Sequence, residues 1–242
     1  MSEGKIIKEE GYMKLIKTSK ITGVIKCLDN LHIGSSKDII EIGGMANPVI
    51  KHPFSLEPYI PGSSLKGKMR CSLERMQKKR QVRDEKEDKR VEDPRGVCIC
   101  GNPECSICVV FGCQNNGKSD YPPLGPTRLI VRNSNLIKES IKGLQGYFGE
   151  KYENSIDRRT GTAGDPRSIE FVPEGAKFLL NMSLLVYDID IDKNYPLVIK
   201  RALHEVENTY LGGMGSRGYG WVEFQDLKID GEDFPSDTTE QE

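Results

Sequence analysis

Ala176-Lys-Phe-Leu-Leu-Asn-Met-Ser-Leu-Leu-Val-Tyr-Asp188 sets Phe178, Leu180, Met182, Leu184 and Val186 at every second position. Period two over that length predicts a β-strand with one face turned to a core. Downstream, Leu197, Leu203, Val206 and Tyr210 mark a helix expected to stop at Gly212-Gly213, and Tyr219–Ile229 reads as a closing strand beside the single tryptophan, Trp221. Upstream, Met13–Leu28 reads as a strand with Ile21, Gly23, Ile25 and Cys27 on one face. Leu65, Met69, Leu73 and Met76 recur at three or four residues and give a helix one apolar stripe, and Thr127–Val131 reads as a further strand. The order strand, helix, strands, helix, strand predicts an α+β fold with a ferredoxin-like (RRM-like) core and long excursions between its elements. No internal repeat is visible.

Composition narrows the function classes. The chain has 242 residues and a formal net charge of -1, so it is not a globally basic nucleic-acid protein. Charge is instead local. Lys66 to Arg95 holds twelve Lys/Arg against seven Asp/Glu, whereas the tail 231–242 is purely acidic. For residues 78–90 alone, a solvated charged helix explains the run. No apolar stretch approaches a membrane span and residues 1–10 lack a signal-peptide core, which predicts a cytoplasmic protein without a membrane partner. Seven cysteines in that compartment argue against a disulfide framework.

Four of them, Cys98, Cys100, Cys105 and Cys108, fall within eleven residues. Tetrahedral zinc needs four soft ligands, and short chelate loops lower the entropy of assembling them. A structural zinc site on these four is the expectation, with Cys113 able to replace one ligand. The charged run and this knot, residues 77–120, read as an insertion rather than core.

Two glycine strings mislead if matched as motifs. Gly62-Ser-Ser-Leu-Lys-Gly-Lys68 nearly spells a P-loop, yet Met69 stands where a magnesium-binding hydroxyl is needed. Gly213-x-Gly215-x-x-Gly218 follows a helix and precedes a strand, the reverse of a dinucleotide fingerprint. Both make sense as loops whose backbone N–H groups approach phosphate. Ser63, Ser64 and the helix start, then Lys66, Lys68 and Arg70, serve the first loop; Gly213, Gly215 and Arg217 serve the second. A tight turn beside a solvated helix face explains the same residues equally. His32 lies next to the first Gly-rich stretch and is a candidate for a phosphate contact; His204 reads as a surface residue, and no histidine pair has acid–base spacing.

Several segments together resemble the RAMP superfamily, and within it the third subunits of type III-A CRISPR Csm complexes. They are His32-Ile-Gly-Ser-Ser, Ile42-Gly-Gly-Met-Ala-Asn-Pro-Val-Ile50, Tyr59-Ile-Pro-Gly-Ser-Ser-Leu-Lys-Gly-Lys-Met-Arg70, Asn154-Ser-Ile-Asp-Arg-Arg-Thr-Gly-Thr-Ala163 and Leu211-Gly-Gly-Met-Gly-Ser-Arg-Gly-Tyr-Gly220. The resemblance implies one RAMP domain over residues 12–230, with a ferredoxin-like palm and a thumb hairpin at 150–172. It implies a subunit that polymerises with copies of itself along a guide RNA, beside other Csm subunits, and meets complementary target RNA. Arg158, Arg159 and Arg167 would then be RNA-binding, and an aspartate just before the Asn-Pro-Val-Ile run would cut the target with a divalent metal such as magnesium.

Here that position is Ala46, which has no carboxylate to bind metal or to activate a 2′-hydroxyl. The resemblance therefore implies an endoribonuclease by family whose slicing site is disabled, through an engineered exchange or natural loss; the otherwise intact motif favours the first. Asp38 and Glu41 lie nearby but off the motif position. The competing readings are a stand-alone RAMP endoribonuclease that processes precursor guide RNA and, less well supported, a magnesium-dependent enzyme acting on nucleotides through the 62–68 loop.

Overall fold

In a computed structural model of the chain, the described residues are 13–35, 47–77, 97–113, 123–143 and 146–235. Ala46, Asp38 and Glu41 lie outside them, as do most of the charged run and the end of the acidic tail. In chain order the elements are β1 (Leu15–Cys27), β2 (Tyr59–Ile60), α1 (Gly62–Met76), α2 (Ser106–Phe111), β3 (Leu129–Val131), β4 (Ser134–Asn135), β5 (Gly149–Ile156), β6 (Ala163–Phe171), β7 (Lys177–Tyr187), α3 (Tyr195–Glu207), β8 (Val222–Ile229) and β9 (Glu232–Asp233).

The main sheet runs β3-β7-β1-β8-β9, with every neighbour antiparallel. β1 and β3 flank β7, and β8 closes the other side of β1. With α1 and α3 as the two crossovers, this is the split β-α-β arrangement of a ferredoxin-like palm. The alternation in β7 does what its sequence promises. Its register sets Phe178 opposite Ile25 and Met182 opposite Ile21, and all four side chains are fully buried. Leu65, Met69 and Leu73 of α1 and Ile199, Leu203 and Val206 of α3 join them in one core, each burial contributing about 1.5–3 kcal/mol. Met76 ends the α1 stripe in solvent.

Two expectations need correcting. The second helix stops at Glu207, before Gly212. Thr209 turns its hydroxyl onto the Glu205 carbonyl at 2.7 Å, and the Asn208 N–H closes on His204, so the last turn is satisfied without a glycine. Tyr210 thus lies outside the helix. The Cys-rich stretch does occupy the chain between α1 and β3, but it is not peripheral to the core. α2 buries Ile107, Val109, Val110 and Phe111 in the same cluster as the sheet and the long helices.

A buried ion pair not foreseen in the sequence locks the far end of the palm. Arg128, at the entry to β3, reaches Asp190 beyond β7 through Nε at 2.8 Å and a second nitrogen at 3.2 Å. It also donates to the carbonyls of Leu124 and Pro126, which leaves little of its desolvation uncompensated. The Tyr195 hydroxyl completes the group by donating to Asp190 at 3.2 Å.

β5 and β6 form a separate two-stranded hairpin. Its turn is held by the Asp157 carboxylate, which accepts the N–H groups of Arg159 and Thr160 at 2.7 and 3.1 Å.

Candidate nucleic-acid interface and metal centre

The residues on either side of 36–46 are tied to one another. The Ser35 N–H donates to the Pro48 carbonyl at 3.0 Å, and the Ile50 N–H to that of Ile33 at 2.8 Å. Asn47, the next residue after Ala46, is tied to β6 twice: its side-chain amide donates to Ser168, and its carbonyl accepts the Glu170 N–H, both at 3.1 Å. The Glu170 carboxylate is almost fully buried, accepting the Val49 N–H at 2.8 Å and pairing with Lys51 at 2.7 Å. Sequence reasoning missed Glu170 because its partners lie some 120 residues away.

His32 belongs to the same base rather than to a ligand surface. Its Nδ1 donates to the Glu170 carbonyl at 2.7 Å, its own carbonyl accepts the Gly213 N–H at 2.8 Å, and it is buried. The expected phosphate contact is therefore replaced by a structural one.

The turn after α3 is packed tightly. A Cβ at Gly212 would lie 2.4 Å from the His32 carbonyl oxygen, and one at Gly220 would lie 2.0 Å from that of Leu211; both residues have positive φ. Half of the backbone amides over 211–220 have a backbone acceptor: Leu211 donates to Gly220, Gly213 to His32, Arg217 to Met214, Gly218 to Gly215 and Gly220 to Asn30. Among the exceptions, Gly212 and Tyr219 stand singly and three others are consecutive. The N–H groups of Met214, Gly215 and Ser216 have no acceptor among the described residues, and Met214 is left-handed at φ 60 and ψ 21, at the entrance to a 3-10 turn. Successive amides in such a conformation form a concavity that suits an anion.

Cations reach this turn from two other elements. Lys68 of α1 places its Nζ 3.5 Å from the centre of the Tyr210 ring, and Gly215 lies against the same ring, where a Cβ would come within 2.1 Å. Burial, and then Arg75, pulls the Lys68 pKa down from its ordinary value. Arg217 pairs at 3.2 Å with Glu153 of β5, joining the turn to the hairpin. Burial works to raise the Glu153 carboxyl, but Lys151 and Arg217 outweigh it and hold it below its usual range. Arg158 and Arg159 stand exposed at the hairpin tip, and Arg167 is exposed on β6.

Not all the α1 residues expected to face a strand are free to do so. Ser63 is exposed and Ser64 half-buried at the helix start, where Asn133 rather than a neighbour in sequence accepts the Gly62 N–H at 3.0 Å. Lys66 instead donates to the Leu129 carbonyl at 2.7 Å and to Thr127, and burial lowers its pKa. Arg70 pairs with Glu74 at 2.9 Å and donates to the Cys98 carbonyl at 2.6 Å. These two cations brace α1 against β3 and the Cys-rich segment.

That segment brings four thiols together. The sulfurs of Cys98, Cys100, Cys105 and Cys108 all lie within 4.8 Å of one another; Cys100 and Cys108 are 3.6 Å apart, and Cys98 and Cys108 are 3.7 Å apart. Sulfurs around a tetrahedral zinc with Zn–S of about 2.3 Å are about 3.8 Å apart, so the four residues fit a metal ion. Without one, shared hydrogen bonds and burial resist ionisation. Cys98 is pushed up to about 12, first by its hydrogen bond with Cys105, and Cys108 is raised for the same reason. Cys113 is outside the cluster.

The family model described as "RAMP superfamily" matches residues 24–223. A "CRISPR system Cms endoribonuclease Csm3" of Methanothermobacter thermautotrophicus is 41% identical, over 90% of this chain and 87% of its own. The protein of the same name from Streptococcus thermophilus is 36% identical, over 86% and 88%. The chain belongs to the RAMP superfamily, among the Csm3 proteins. Of solved structures, a "Csm3-Csm4 subcomplex in the type III-A CRISPR-Cas interference complex" shares 27% identity at a TM-score of 0.53, covering 89% of this chain and 80% of that one. A type III-B Cmr-beta structure bound to cognate target RNA, at 15% identity and a TM-score of 0.57, shows the same RAMP fold. On that RAMP palm, Lys68, Gly213, Gly215 and Arg217 converge. His32, Lys66 and Arg70 act within the fold, and Ala46 lies outside the described residues.

Proposed function

We propose that this chain is a backbone subunit of a type III-A CRISPR effector, binding a guide RNA in a filament of its own copies, beside other Csm subunits in the cytoplasm. The observation that supports this best is the run of three unpartnered amides at 214–216, flanked by Lys68, Arg217 and the hairpin. Amides and a few cations suit a phosphate backbone, whose recognition needs no base readout. Ser63, Ser64, Lys68, Arg167, Gly213, Gly215 and Arg217 would line the guide. The 150–172 hairpin would be the thumb that enters the guide–target duplex, with Arg158 and Arg159 at its tip. The Cys98, Cys100, Cys105 and Cys108 site would hold a structural zinc.

Cutting of the target, a family activity, would require a carboxylate and a divalent metal such as magnesium in the 36–46 segment. With Ala46 there, the subunit holds target RNA without cutting it. Purification from a cell that carries the matching CRISPR array should recover several copies per RNA of defined length. Ala46→Asp in the assembled complex should switch on cleavage of complementary RNA at regular spacing. A monomer that arrives free of RNA and trims precursor guide RNA on its own would instead establish the processing-enzyme reading.

A further inference from the structure

The Cys98 peptide is gripped at both ends by one helix. Its N–H donates to Glu74 Oε1 at 3.1 Å, and its carbonyl accepts from an Arg70 nitrogen at 2.6 Å. The same Glu74 oxygen accepts Arg70 Nε at 2.9 Å, so carboxylate, guanidinium and peptide form a closed ring. Glu74 is 2% exposed, in a helix otherwise buried through Leu65, Met69 and Leu73. A carboxylate so placed has an energetic reason to be there only if its partners are fixed, because unpaired it would carry the full cost of desolvation.

We infer that Glu74 and Arg70 are positioning residues for the four-cysteine metal site, and that metal occupancy is coupled through them to the placement of α1. This inference rests on the metal reading of the cluster given above. Cys98 leads into the cluster and its sulfur lies 3.7 Å from that of Cys108. Fixing its peptide fixes the direction of its side chain before metal arrives, which lowers the ordering entropy of the site. Arg70 also brings positive charge to a centre that, with four thiolates and one dication, carries excess negative charge. The coupling runs both ways. A metal that holds Cys98 keeps the Glu74–Arg70 ring closed, and the same helix carries Lys68 over the Tyr210 ring against which Gly215 packs.

The test is a competition between the purified full-length chain and a chromogenic chelator for zinc, repeated with cobalt to read thiolate-to-metal charge transfer. Wild type should bind one metal per chain, lost with Cys105→Ser. Glu74→Ala should weaken binding by about 10–100-fold while leaving the cobalt band positions of four-thiolate coordination unchanged. Glu74→Gln, whose amide oxygen can still accept both hydrogen bonds, should recover most of the affinity. A role in general stability alone would not be rescued in this way. Arg70→Lys, which keeps the charge but loses the fork that spans Glu74 and the Cys98 carbonyl, should fall between; it also serves if Glu74→Ala does not fold. Equal metal affinity in wild type and in whichever of Glu74→Ala and Arg70→Lys folds would overturn the coupling while leaving the metal site standing. A wild-type chain that binds no metal would remove both.

Discussion

The β1–β7 pair and the β5–β6 hairpin are both long antiparallel ladders, yet they are held by different physics. In β7, Phe178, Leu180, Met182 and Leu184 are almost completely buried, and Ile25 and Ile21, the β1 partners of Phe178 and Met182, close the same core. In the hairpin, Tyr152 and Ile156 are 71% and 68% exposed, and Ile169 is the fully buried residue, close to the base. An isolated two-stranded ribbon is marginal in water. This one is fixed at its root, where Glu170, Asn47, Ser168 and the Arg217–Glu153 pair meet. The palm is built to be stable; the hairpin is built to reach, with its shape set at one end.

The largest effect should come from emptying the palm. Phe178→Ala should cost about 3–5 kcal/mol in denaturant unfolding, whereas Tyr152→Ala should stay within about 0.5 kcal/mol. Similar losses at the two sites would show that the ladders share one core after all. Next is the root: Glu170→Ala leaves the Val49 N–H without its acceptor and Lys51 without its pair, and should lower stability by about 2–3 kcal/mol. Its hydrogen exchange should rise at Val49 and Lys51 while β7 stays protected.

The palm also buries a titrating group and so should respond to alkali. Burial pushes the Cys27 thiol from 9.0 up to about 12. Its folded pKa is raised, so the stabilisation from keeping it neutral is complete below about pH 9 and is lost as pH rises toward 12. In that window the slope should approach about 1.4 kcal/mol per pH unit, and Cys27→Ala should flatten it. An unchanged slope in the variant would assign the alkaline loss elsewhere. The smallest stability effect belongs to the hairpin tip. Arg158→Ala with Arg159→Ala should leave the melting temperature unchanged while reducing the salt dependence of single-stranded RNA binding by about 1.4 in logarithmic slope. A salt slope equal to wild type would place the RNA away from the tip.

Much of this contrast can be read in the chain itself. Strict alternation identifies β7 and half of β1, and a polar stretch with Gly161 at 157–164 announces a hairpin turn. The Cys spacing gives the four-thiol cluster before any fold is known. Partnerships across sequence distance are another matter. Glu170 looks like one more polar residue on a hairpin arm until Val49 and Lys51 close on it, and Arg128 gives no sign of Asp190. The burial of α2 leaves a signal in the apolar run Val109-Val110-Phe111, which directly follows the last of the four clustered cysteines. The misplaced end of α3 has a local cause: Gly212-Gly213 resembles a helix stop, while Thr209 performs that task earlier.

The close contacts made by Gly212 and Gly220 have a practical corollary. A methyl group at either position meets a carbonyl oxygen well inside van der Waals range. Alanine scanning of that string would therefore count broken chains as lost ligands. Mapping of the guide is better done by exchanging Lys68 or Arg217, or by replacing single amides with esters at 214–216, which deletes a donor and leaves the packing in place.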